Sequence, residues 1–85
     1  MKLEKILTAI TNEKIMLNFL KDITTPQEFK ALQERLDIVL LLNDGMSYAE
    51  ISKKTGASTT TITRVARFLK QENYGGYRWI LDNLL

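Results

Sequence analysis

From Leu36 to Leu42, six of seven residues are apolar, and they lie inside a stretch that reads as one uninterrupted helix. A surface helix normally carries one apolar stripe and a polar back. Here Phe29, Leu32, Leu36, Val39 and Leu40 mark one face, while Ile38, Leu41 and Leu42 cover much of the other. Such a segment calls for burial nearly all round. A chain of 85 residues offers few places for that, since a small domain buries only about 60% of its unfolded surface. Folds of this size are commonly held together by disulfides, a metal or a partner subunit. The sequence contains no Cys and no His. Disulfides, zinc clusters of thiolate or imidazole ligands, and Cys or His nucleophiles and bases are therefore excluded. A dimer core, or unusually good helix packing, remains.

The rest of the chain reads as helices with short punctuation, as a single domain over 1–85. Leu3, Ile6, Leu7 and Ile10 share one helical face. Asn12 suits the N-cap of a second helix, whose stripe is Ile15, Met16, Phe19, Leu20 and Ile23. Thr25-Pro26-Gln27-Glu28 starts the long helix: Thr25 caps, Pro26 takes the first helical position and Glu28 closes a capping box. That helix is expected to run to about Asn43, where Asp44-Gly45 stops it with Gly45 as a left-handed cap. Ser47-Tyr48-Ala49-Glu50 is a second capping box and opens a short helix to Lys54. Thr55-Gly56-Ala57 is a turn, and Ser58 caps a helix expected to reach about Glu72. Gly75-Gly76 breaks it, and a last helix places Tyr77, Ile80, Leu81 and Leu84 on one face. Trp79 is expected in the core or in a dimer interface. Tyr74-Gly75-Gly76-Tyr77 reads as a helix break with packed rings rather than a ligand site.

The net charge of +2 is unevenly divided. Residues 1–45 carry six Lys or Arg and seven Asp or Glu, and residues 46–85 carry six and three. From Lys53 to Lys70 there are five basic residues (Lys53, Lys54, Arg64, Arg67 and Lys70) and no acidic one. A local basic stripe points to a polyanion partner, although charge alone favours a solvated face.

The stripe coincides with the elements of a helix-turn-helix, over 47–72. That motif needs two short helices across a tight turn, a Gly where the backbone turns left-handed, and apolar residues that hold the second helix down. Ile51 and the small Ser52 lie in the first helix, Gly56 and Ala57 in the turn, and Ile62, Val65, Ala66 and Leu69 on the inner face of the second. Thr55, before the glycine, is a departure, since that position is often apolar. Thr60, Thr63, Arg64, Arg67 and Gln71 point outward, with Thr59 at the helix start. Threonine can hydrogen-bond a base or phosphate and touch a thymine methyl, and arginine suits phosphate or guanine. Thr59, Thr60 and Thr61 are poor helix formers, so helix stability does not explain them. An ordinary helical hairpin with threonines on a solvated face is the plainer alternative. The expected DNA-contacting set is Lys53, Lys54, Ser58, Thr59, Thr60, Thr61, Thr63, Arg64 and Arg67.

Thr25-Pro26-Gln27-Glu28, Glu34-Arg35-Leu36 and above all Gly56-Ala57-Ser58-Thr59-Thr60-Thr61-Ile62-Thr63-Arg64 resemble the tryptophan-repressor family, most closely its shorter repressor-related branch. The resemblance covers a little over half the chain, from Thr25 to Lys70. It implies an all-α, intertwined homodimer of about six helices, with 1–45 and 77–85 as dimerisation helices and one helix-turn-helix per subunit. It also implies repression by covering an operator. In that family two arginines sandwich the indole ring of a tryptophan corepressor and help hold its carboxylate; Arg35 and Arg64 match them, and Thr25 matches the threonine before proline. Two positions depart. Val65 stands where the family has a glycine after the second arginine, and Phe68 where it has a serine one turn on. Both add volume, and Phe68 removes a hydroxyl, where an amino-acid zwitterion would sit. The expectation is a vestigial pocket of Thr25, Arg35, Arg64, Val65 and Phe68 that does not use tryptophan, with another small ligand left open.

No acidic pair has a catalytic setting and no phosphate loop is present, so an enzyme is not expected. The longest apolar run, Ile38 to Leu42, is too short to span a bilayer, and Met1-Lys2-Leu3-Glu4-Lys5 does not read as a secretory signal. No membrane or metal is expected, and the location expected is the bacterial cytoplasm. The functional expectation is a homodimeric transcriptional regulator, of repressor type, that binds double-stranded DNA. The alternatives are a DNA-binding accessory protein of replication or recombination, and a helical interaction module without DNA binding.

Overall fold

Side-chain caps cut the chain where the sequence places them. The structure is a computed structural model that describes residues 1–72 and 74–85. Among the described residues it is all-α, with helices α1 (Leu3–Ala9), α2 (Glu13–Ile23), α3 (Pro26–Asn43), α4 (Tyr48–Thr55), α5 (Thr59–Lys70) and α6 (Gly76–Asn83). Asn12 accepts a hydrogen bond from the Ile15 amide at 3.0 Å and starts α2. At the start of α3 the capping box is complete: the Thr25 amide donates to Glu28 Oε1 at 2.8 Å, and the Glu28 amide donates to Thr25 Oγ1 at 3.1 Å. The Thr25 backbone N–H, aided by its hydroxyl, holds the Glu28 carboxyl below its usual value.

The second box closes differently. Ser47 Oγ accepts from the Glu50 amide at 3.2 Å, but its hydroxyl also donates to Glu50 Oε1 at 2.9 Å. The carboxylate is thereby engaged by the serine hydroxyl, and no bond to the Ser47 backbone N–H is seen among the described residues. Helix α5 ends at Lys70, short of the expected Glu72. The Gln71 amide makes the last helical bond to the Arg67 carbonyl at 2.8 Å, and the Glu72 amide donates to the same oxygen at 3.0 Å, which ends the ladder there.

By backbone contacts the chain divides into two compact units, Met1–Ala31 and Leu32–Leu85. The first contains no buried residue, and Ile15 and Ile23 of its apolar stripe are more than half exposed. The second holds the whole buried core: Ile38, Val39 and Leu42 from α3, Ile51 from α4, Ala57 from the turn, Ile62, Val65, Ala66 and Leu69 from α5, and Leu81 from α6. Leu40, Leu41, Met46 and Tyr77 pack partly against it. The apolar stretch of α3 is therefore covered on one side and only partly on the other. In α6, Leu81 is buried and Tyr77 and Ile80 are half-buried, but Leu84 lies beyond the helix end and is 65% exposed. Trp79 is 57% exposed and takes no place in the core of the chain, because the short α6 turns the Leu81 face inward.

Glycine matters most at Gly56, which caps α4 at φ +77° with its N–H bonded to the Ser52 carbonyl. A Cβ there would meet open space, so substitution carries a backbone cost alone. Gly56→Ala is expected to destabilise the fold by roughly 1–2 kcal/mol, and Gly56→Asn by less, because asparagine tolerates the left-handed region. Urea denaturation checks this: the midpoint should fall in the order wild type, Asn, Ala with an unchanged slope.

Candidate nucleic-acid interface

The turn between α4 and α5 is held by hydroxyl groups. Ser52 Oγ donates to the Ala57 carbonyl at 2.7 Å, so the small residue expected at the helix contact also ties the turn to α4. Thr55 Oγ1 donates to the Ile51 carbonyl at 2.7 Å and accepts from the Ala57 amide at 3.1 Å. Thr55 thus replaces an apolar packing residue with a bridge that satisfies a part-buried turn amide. With Ala57 buried against the core, α5 has a fixed point of entry.

Ser58 caps α5, accepting from the Thr61 amide at 3.1 Å, and its hydroxyl donates to Thr61 Oγ1 at 3.1 Å. These two side chains are engaged in starting the helix, and Thr61 is half-buried. Ile62, Val65, Ala66 and Leu69 point into the core as their spacing requires. The opposite face leaves Thr59, Thr60, Thr63, Arg64 and Arg67 exposed. These five line a groove of about 650 Å³ together with Phe68 and Glu72. Lys53 and Lys54 lie exposed in the last turn of α4, outside the walls of that groove.

Both arginines are held from the side. The Arg64 guanidinium carbon lies 5.1 Å from the centre of the Phe68 ring, and that ring stacks on Tyr74 at 6.3 Å with planes 15° apart. Arg67 Nε donates to Glu72 Oε1 at 2.9 Å. The stripe without acids between Lys53 and Lys70 is therefore met in space by an acid just beyond it. The sequence signal was present, a lone carboxylate five residues after Arg67, but it becomes visible only once the chain folds back at the end of α5.

A second cavity of about 460 Å³ lies on the other side of Arg64. Arg35, Arg64, Val65 and Phe68 line it, joined by Tyr74, Gly75, Gly76, Tyr77 and Ile80. Four of the five positions of the expected pocket are thus brought together. Thr25 is not among its walls, and its hydroxyl serves the capping box of α3. Of the segment Tyr74 to Tyr77, expected to be a helix break with packed rings, Gly75 caps α6 and Gly76 and Tyr77 already lie in it; Tyr77 is half-buried, Tyr74 is 87% exposed with its ring against Phe68, and all four residues line the cavity. Val65 is 2% exposed and joins the buried core behind the cavity wall. Neither Glu34 nor Asp37 forms an ion pair with Arg35 among the described residues; Asp37 instead accepts from Gln33 at 3.0 Å. No group of His, Cys, Asp or Glu suited to a metal occurs among the described residues, and no described helix is long and apolar enough to cross a membrane.

The family model of the Trp repressor protein matches residues 1–85. A protein of Bacillus subtilis (strain 168), "Uncharacterized protein YerC", is 41% identical over 68 residues, covering 78% of this chain and 62% of that protein. The chain thus spans less than two thirds of the length of this relative. A crystal structure of a "putative Trp repressor" from Staphylococcus aureus resembles the chain with a TM-score of 0.89 and 34% identity, covering 96% of this chain and 81% of that one. With its whole length covered by the family model, this chain belongs to the Trp repressor protein family.

Proposed function

We propose that this chain is a transcriptional regulator, of repressor type, that binds double-stranded DNA in the bacterial cytoplasm as a homodimer. The observation that carries the reading is the division of α5 into two faces. One is buried on the core, and the other gathers Thr59, Thr60, Thr63, Arg64 and Arg67 in one exposed groove. A helix so presented fits the major groove, with its first residues at base edges and its arginines at phosphates. Lys53 and Lys54 add positive charge beside the duplex, and Ser58 and Thr61 act mainly by fixing the helix start. Arg67→Ala is expected to weaken binding to all duplexes and to flatten its salt dependence, because it removes a phosphate contact. Thr60→Ala should instead cost about 1–3 kcal/mol of discrimination at one base pair. Titrations on duplexes selected from a random pool, repeated across salt concentrations, read both. Unaltered binding by both variants would exclude α5 as the reader.

Dimerisation is proposed through 1–45 and 77–85. It is supported by the absence of buried residues in Met1–Ala31 and by the exposure of Ile15, Ile23, Leu32 and Trp79. So much apolar side chain left in water favours a second copy. Sedimentation at low micromolar concentration is expected to give a dimer, with reading heads about 34–36 Å apart, one turn of DNA. A stable folded monomer there would overturn it.

The reading of Arg35 and Arg64 as a vestigial pocket leads to DNA binding without tryptophan as corepressor. Val65 and Phe68 stand in the wall of the cavity where the family has glycine and serine, and the Phe68 ring lies beside the Arg64 guanidinium. Losing a polar partner for a buried zwitterion weakens binding sharply. Calorimetry with tryptophan is expected to show no micromolar binding, and DNA titrations should be the same with and without it. Tryptophan binding that tightens DNA affinity would reverse this assignment.

A further inference from the structure

The groove on the exposed face of α5 has a carboxylate in its wall. A face that meets a phosphate backbone gains nothing from a free negative charge, which opposes the counterion release that drives association. Glu72 is nevertheless there, with Thr60, Thr63, Arg64 and Arg67. It is brought there by the backbone, since the Glu72 amide donates to the Arg67 carbonyl at 3.0 Å and so turns the residues after α5 back toward that helix. Its side chain then accepts from Arg67 Nε at 2.9 Å. The side chains of the pair are 65% and 33% exposed for Arg67 and Glu72, and surface pairs of this kind add little to fold stability.

The atom used is informative. A guanidinium offers one Nε–H and four Nη–H donors in a rigid plane. Glu72 takes the Nε edge, and no other partner of Arg67 is seen among the described residues. The outer Nη edge is thereby left for a second acceptor, while the plane of the group is fixed. We propose that Glu72 is a positioning residue for DNA recognition. It aims Arg67 at a single phosphate, and it lowers binding to wrong registers by keeping that charge from roaming. This rests on the DNA-binding reading of α5 given above.

Holding Arg67 and repelling phosphate are separable. In Glu72→Ala the hold and the charge are both lost, so Arg67 can reach any phosphate. Binding to random duplex should tighten roughly threefold or more at low salt, while binding to the selected duplex gains less, and the preference ratio falls. In Glu72→Gln the charge is lost but the amide oxygen still accepts from Nε. Both duplexes should be bound more tightly and the ratio should stay near that of wild type. In an Arg67→Ala background, Glu72→Ala should no longer change the ratio. Fluorescence anisotropy of the full chain on selected and random duplexes over a salt series measures all three, with thermal melting to confirm folding. An unchanged ratio in Glu72→Ala, or the same fall with Arg67 already removed, overturns the positioning role. If wild type shows no salt-dependent duplex binding, the DNA-binding reading itself fails and the role of Glu72 falls with it.

Discussion

Everything on the exposed face of α5 depends on how its other face is buried. Ile62, Val65, Ala66 and Leu69 recur at helical spacing and meet Ile38, Val39, Leu42, Ile51 and Leu81 in one cluster. Each fully buried aliphatic side chain contributes about 1.5–3 kcal/mol relative to exposure, so a handful of residues decides where α5 lies and how it is rotated. Rotation about the helix axis is the functional variable. Turning α5 by one residue, about 100°, would carry Thr60 and Arg67 out of the groove and drive polar groups into the core. Among the described residues no polar side chain is buried, which shows how completely the two faces are separated.

The turn that feeds α5 solves a related problem with polar groups. A tight connection leaves backbone amides and carbonyls without helical partners, and each must find one. Gly56 supplies the left-handed step, Ser52 takes the Ala57 carbonyl, and Thr55 takes the Ala57 amide. Ala57 can then be buried although its backbone belongs to a turn. Packing and hydrogen bonding thus constrain the same few atoms, and the crossing of α4 and α5 follows from both.

The helices and their inner faces were legible because caps and apolar spacing are local signals. Asn12, Thr25, Ser47 and Ser58 cap where they stand in the sequence, and Ile62, Val65, Ala66 and Leu69 are buried as their spacing requires. What escaped the sequence depends on contacts beyond one turn. Helix α5 stops at Lys70, before the expected Glu72, because the closure of Glu72 on the Arg67 carbonyl leaves no mark in residue type. Trp79 lies outside the core of the chain, since only Leu81 of the short α6 is buried there, and the interface half of its expected placement belongs to the proposed dimer. Of the expected pocket, Arg35, Arg64, Val65 and Phe68 share a cavity, whereas Tyr74, Gly75, Gly76 and Tyr77, which read in the sequence as a helix break, form further walls together with Ile80.

The two units divide the work of the chain differently. Leu32–Leu85 satisfies its own apolar spacing with a core, and its helix-turn-helix is complete within that unit. Met1–Ala31 has equally clear spacing, with Ile15, Met16, Phe19, Leu20 and Ile23 on one face of α2, yet none of these is buried. An amphipathic helix of this length is marginal in water without something to cover its apolar face. Within Met1–Ala31 nothing buries that stripe. In the proposed dimer the second copy would cover it, and burial of the stripe there would tie the existence of α2 to assembly. The reading head would then be built by the chain alone, and its spacing from a second head would be set only when two chains meet. In the proposed homodimer that separation would suit DNA recognition, since one head would read a half-site and the distance between two heads would select the operator.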